Sequence, residues 1–175
     1  MSQGTIRPSA LSVAGAYFFM FVLVFWPMVD LASSIWPLQM GNLQWRYGFM
    51  GLMAAYLHTP ILAVVLAMGL AYILQHTLTL RLLSLLGFLG ALVLFIVLVL
   101  FPLDVIQLRS QIAQERLSSF QAGALLAELK HLTAFVTLLL LGFGGWRTAR
   151  GLSRKTRTPE GSQLTAEVIK AQKKA

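Results

Sequence analysis

A chain of 175 residues that is 57% hydrophobic and only 11% charged has too few charges to cover a water-soluble surface, so an integral membrane protein is expected. The absence of cysteine excludes disulfide frameworks, thiolate metal sites, thiol nucleophiles and lipidation on cysteine. The net charge of +8 lies mostly near the C-terminus, which points to a membrane surface and not to nucleic acid.

A bilayer core of about 30 Å takes roughly 20 apolar residues per helix, and the chain offers four such stretches, near 10–29, 47–74, 82–103 and 123–146. The first, "ALSVAGAYFFMFVLVFWPMV", has only Arg7 ahead of it and about twice the apolar length of a secretory signal core. It reads as a retained helix, with a cleaved signal as the alternative. The loop that follows carries the breakers Pro37, Gly41 and Asn42, with Ile35, Trp36 and Leu38 placed to dip into the interface.

The second span opens on Trp45, Arg46 and Tyr47. Small residues then recur every four positions, Gly51, Ala55, Thr59, Ala63, Ala67 and Ala71, a ridge on which another helix backbone can lie close. Arg46 falls opposite that ridge, beside Met50, Met53 and Leu57, and reads as a boundary anchor between two belt aromatics. A salt bridge to Asp104 or to a partner subunit is the other reading. Pro60 removes a backbone hydrogen bond in mid-span, so a kink is expected there.

A short turn, "QHTLTLR", leads into the third span, making the second and third helices antiparallel neighbours. Residues 104–120 lack Gly and Pro and place Val105, Leu108 and Ile112 at helical spacing, so a helical outer segment is expected after helix three, either continuing that helix beyond the bilayer or lying on its surface. Gly87, Gly90 and Ala91 in the third helix, and Gly142, Gly144 and Gly145 in the fourth, offer receiving surfaces. The fourth span closes on Trp146, a second interface anchor. A basic tail, 147–175, follows, with an amphipathic segment around Leu164, Val168 and Ile169. It is expected to attract anionic lipid headgroups.

Ten Lys and Arg residues fall on the side of the termini and four on the other, so both termini are expected in the cytoplasm. The fold class that results is all-α, an antiparallel four-helix transmembrane bundle over residues 1–146 with the tail as a separate region.

Ionisable groups within spans are the candidate functional residues. Glu128 and His131 share one face of the fourth helix and can hydrogen-bond, while Lys130 points nearly opposite. His58 and His131 stand at similar depth, which allows a haem or metal held between two helices as an alternative cofactor reading. Glu-x-x-His occurs once where a di-iron bundle needs two, so neither a metal nor a cofactor belongs to the leading reading. The third helix supplies only Ser84 as a polar group, which disfavours a transport path, although a transporter or channel subunit remains a further alternative. No phosphate loop or nucleophile elbow appears, and Ser118 and Ser119 lack a base unless His131 reaches them, so no catalytic residue is assigned.

The runs "WPLQMGNLQWRYG" and "FPLDVIQLRSQIAQERL", with Trp45, Pro102 and Arg109, resemble the layout of small bacterial four-helix membrane proteins of the HpsJ type, associated with hormogonium polysaccharide loci in cyanobacteria. The resemblance covers about residues 10–120 and implies an accessory role in a bacterial cytoplasmic-membrane assembly, with no catalytic residue transferred. The expectation is therefore a non-catalytic accessory, structural or assembly subunit whose partners are the bilayer and other membrane proteins.

Overall fold

The computed structural model describes residues 9–157, with side chains through Ser153. Within them the chain is all-helical: α1 (Ala10–Ser34), α2 (Leu43–Tyr56), α3 (His58–Ile73), α4 (Thr77–Arg109) and α5 (Gln114–Arg157). Helices α1, α4 and α5 are each long and apolar enough to cross a membrane; α2 and α3 meet that criterion only together, as a pair bent by 41°.

Local chemistry sets the helix ends. Ser9 caps α1 by accepting from the Ser12 amide, and the Asn42 side chain caps α2 by accepting from the amides of Gln44 and Trp45 at 2.9 and 3.2 Å. The expected kink at Pro60 falls at Leu57, three residues earlier. A helical proline lacks the N–H that would bond the carbonyl four residues back, here that of Tyr56, and its ring presses on that same carbonyl. The bend therefore opens one turn ahead of the proline.

The expected helical segment over 104–120 continues the third helix only in its first part and is then interrupted. Helix α4 continues to Arg109, four residues turn the chain, and α5 begins at Gln114. The boundary drawn at 146/147 also has no structural break, because α5 runs on to Arg157. The amphipathic tail segment and Arg7 lie outside the described residues.

Helices α4 and α5 make the most extensive helix pair. Along α4 the buried residues recur at steps of three or four, Leu80, Ser84, Gly87, Ala91, Leu94, Val97, Phe101, Asp104 and Leu108. Such a stripe keeps one face turned to its partner. On α5 the matching stripe is mostly small: Ala124, Ala134, Gly142, Gly145 and Ala149 alternate with His131 and Leu138. Contacts on α4 at Arg81, Phe88, Phe95 and Phe101 are met on α5 by Ser153, Phe143, Phe135 and His131, so rising numbers on one helix meet falling numbers on the other.

The bent α2–α3 pair follows this two-helix core along its length. At one end Tyr47 stacks on Phe101; at the other Met68 lies against Gly145, at the level of Ser84. Helix α1 packs chiefly on α3, and Leu31 is the buried residue it contributes. Tyr17 of α1 hydrogen-bonds His76 in the α3–α4 turn at 3.2 Å.

Candidate functional site

The ionisable groups of the core, Asp104, Glu128 and His131, gather near the α4–α5 turn, where α2, α4 and α5 meet. Three successive inward positions of α4, Phe101, Asp104 and Leu108, follow from its buried stripe. On α2 the inward face is Met50, Met53 and Ala54, and Arg46, one turn before Met50, shares it. The guanidinium grips Asp104 with two bonds: Nη2 donates to Oδ1 at 2.7 Å and Nε donates to Oδ2 at 3.1 Å. The Asp104 side chain is 5% exposed and that of Arg46 36%, so the pair is sealed on one side and open on the other. Paired, charge-assisted geometry of this kind locks the α2 entrance onto α4.

The small-residue ridge is thereby divided by the bend. Ala63, Ala67 and Ala71 of α3 are buried, whereas Gly51 is half-buried and Ala55 and Thr59 are exposed. A single helical phase through Leu57 puts the ridge on one packing face along the whole span. The 41° bend turns α2 so that the methionine face is inside instead.

Trp45 donates from Nε1 to the Ile35 carbonyl at 3.1 Å, holding the α1–α2 loop to the start of α2. Tyr47 stacks on Phe101 at 5.4 Å and leans on Phe120 at 5.2 Å; Phe101 in turn meets His131 edge-on at 5.7 Å. Helices α2, α4 and α5 are joined here by aromatic rings, a role for Phe101 and Phe120 that sequence reasoning missed. Phe101 lies one helical turn before Asp104, and that spacing was the signal available.

His131 is fully buried, and both of its ring nitrogens lack a hydrogen-bond partner. The main chain of Met50 is the polar backbone group that faces the ring, without closing to hydrogen-bond distance and angle. Glu128 turns along α4 into a 270 Å³ cavity that Phe101 and Pro102 also line, and its Oε2 is buried without a partner. The expected Glu128–His131 hydrogen bond is therefore not formed. The two side chains share the α4 side of α5, but the Phe101 ring takes up His131 while the carboxylate lies over the next turn.

His58 stands elsewhere. It is exposed and lines a 210 Å³ groove between α3 and α5 with Lys130, Thr133 and Thr137. A haem or metal shared by His58 and His131 requires both rings to face one cavity, and the groove that His58 lines does not include His131. The residues present do not fit that group. Among the described residues no three His, Asp or Glu side chains come together as a metal site.

At the opposite end of α5, Trp146 is partly exposed and lies under the Arg150 guanidinium, whose central carbon is 5.4 Å from the ring centre. Comparison with family models, curated proteins and solved structures gave no match, so nothing is carried to these residues from another protein.

Proposed function

We propose that this is a four-span integral membrane protein, an antiparallel bundle in a bacterial cytoplasmic membrane with both termini inside, acting as a non-catalytic accessory or assembly subunit of a larger membrane complex. The four-span reading is supported by the course of α2–α3, whose two ends touch opposite ends of α4. The pair then counts as one bent span. The orientation is supported by the excess of Lys and Arg on the side of the termini.

The observation that carries the accessory role is α1. Of its 25 residues one, Leu31, is buried, while Phe18, Phe21, Phe25 and Trp26 stand exposed along it. Helix association in lipid depends on close packing, because the lipid tails are as apolar as the side chains. A helix with so little packing inside its own chain has its aromatic face available to a neighbour. The core polar groups, by contrast, are paired or enclosed, and none is arranged with a nucleophile, base and open cavity for turnover.

The test is purification of the full chain in mild detergent. A stoichiometric integral-membrane partner retained through two chromatographic steps, and lost in Phe21→Ala/Phe25→Ala while the variant still inserts, is the expected result. A lone monomer from wild type would overturn the proposal.

A further inference from the structure

A different surface carries a ligand site. Beside the α4–α5 seam, Phe88 of α4 and Phe143, Trp146, Arg147, Arg150 and Gly151 of α5 line an open cavity of about 810 Å³. We infer that this groove binds one anionic phospholipid, with its phosphate between Arg147 and Arg150 and an acyl chain along Phe88 and Phe143. The inference rests on the membrane reading above and goes beyond diffuse attraction of the tail to a lipid surface.

Three observations converge. The first is charge: Arg147 and Arg150 are three residues apart on one helix, a spacing at which like charges repel unless an anion lies between them. Among the described residues the ion pair found is Arg46–Asp104, so neither arginine is paired with a carboxylate of those residues. Arg81, the basic residue of the neighbouring stretch of α4, donates instead to the Ser153 hydroxyl at 2.9 Å. The second is preorganisation. The Arg150 guanidinium rests over the Trp146 ring, which restricts it and leaves its edge donors free for a planar, two-point contact with phosphate oxygens.

The third is shape. Phe88 and Phe143 meet edge to face at 5.0 Å and form the apolar floor of the groove. From Arg150 to Phe143 is seven residues, or about 10 Å along the helix. That reaches from the level of a headgroup phosphate past the ester groups to the upper part of an acyl chain, with Trp146 between them at the level where belt tryptophans sit. Gly151 keeps the upper wall open, since a Cβ built there meets nothing within 4 Å. Basic pockets flanked by apolar helix faces on the cytoplasmic side are a recurring form of anionic-lipid site.

The experiment uses the full chain in nanodiscs of phosphatidylcholine with one-fifth phosphatidylglycerol, and counts retained lipid by native mass spectrometry. Wild type is expected to keep one phosphatidylglycerol. The variant R147Q/R150Q should retain it at least tenfold less, and Gly151→Leu, which fills the groove while keeping both charges, should lose it too. The variant K170Q/K173Q/K174Q should keep it, because diffuse attraction by the tail is not the cause. Excess inorganic phosphate should leave retention unchanged.

Equal retention of phosphatidylcholine, persistence of the lipid in both groove variants, or its loss in the tail variant would overturn the inference. Displacement by inorganic phosphate would make this a phosphate site and overturn it as well. Failure of the membrane reading looks different, as a protein that stays monodisperse without detergent and never enters the nanodisc; both proposals then fall.

Discussion

At the scale of single residues, the Arg46–Asp104 pair and the unpaired His131 make opposite predictions. Hydrogen bonds to a charged group contribute about 1.5–3 kcal/mol each, and a buried charge stripped of its partner is worse than no charge at all. Asp104→Asn should therefore destabilise the helical bundle by about 1.5–3 kcal/mol, read as a lower unfolding midpoint in detergent. Arg46→Met should be at least as harmful, because it strands a nearly buried carboxylate, and the double variant R46M/D104L should recover much of the loss. His131 reverses the sign. Its two ring nitrogens are buried without partners, so His131→Leu removes polar atoms that gain nothing from burial and leaves a side chain of similar bulk. An unchanged or raised midpoint is expected; a fall of more than about 1 kcal/mol would mean that His131 has a polar partner in the membrane. The pairing of Arg46 was legible only as an alternative, since residues 58 apart in sequence are brought together by α2–α4 docking. Face assignment on an apolar helix is ambiguous when both faces are apolar, and here a small-residue face competed with a methionine face.

At the scale of elements, the decisive contact is the α4–α5 seam, where glycines set the spacing of the backbones. A Cβ at Gly87 would stand 3.1 Å from the Leu138 carbonyl oxygen and 3.3 Å from the Gly142 nitrogen, both backbone atoms that cannot step aside without moving a helix. At Gly145 it would meet the Ser84 hydroxyl, itself bonded to the Leu80 carbonyl, and the end of Met68. At Gly144 it would meet nothing within 4 Å. Gly87→Ala and Gly145→Ala should each cost about 1–3 kcal/mol through overpacking, whereas Gly144→Ala should be neutral or gain up to about 1 kcal/mol from helix propensity. Unfolding midpoints of the three variants measured side by side test the set. Glycines on the third and fourth apolar stretches were recognisable as packing surfaces, but adjacent Gly144 and Gly145 could not be ranked without the partner helix. Element ends were harder still. Residues 110–113 contain no Gly or Pro, so the turn between α4 and α5 lacks the usual chain breakers and nothing in the pattern marks where the helix stops.

At the scale of the whole molecule, the open alternative to four spans is a re-entrant α2–α3 pair, which would leave three crossings. The two topologies put the connections on different sides. With four spans, the α1–α2 loop and the α4–α5 turn lie outside, and the α3–α4 turn lies inside with both termini. With a re-entrant pair, the α1–α2 loop and the α3–α4 turn share the outside, and the α4–α5 turn moves to the inside. Because the chain has no cysteine, single replacements at exposed positions report on this directly. Ser34→Cys and Ser110→Cys should react with a membrane-impermeant maleimide added to sealed, right-side-out vesicles, and Gln75→Cys should react only after the vesicles are opened. Labelling of Gln75→Cys from outside together with protection of Ser110→Cys would replace four spans by three. The ion pair gives a physical reason to expect the first pattern. A re-entrant pair returns to the side from which it entered, so its two ends would sit at one level. Arg46 is bound to Asp104 near the end of α4, while Met68 lies at the level of Ser84, twenty residues and about 30 Å back along the same helix. A separation of that size matches the thickness of the hydrocarbon core, which is the distance a proposed fourth crossing has to cover and more than a pair returning to its own side would show.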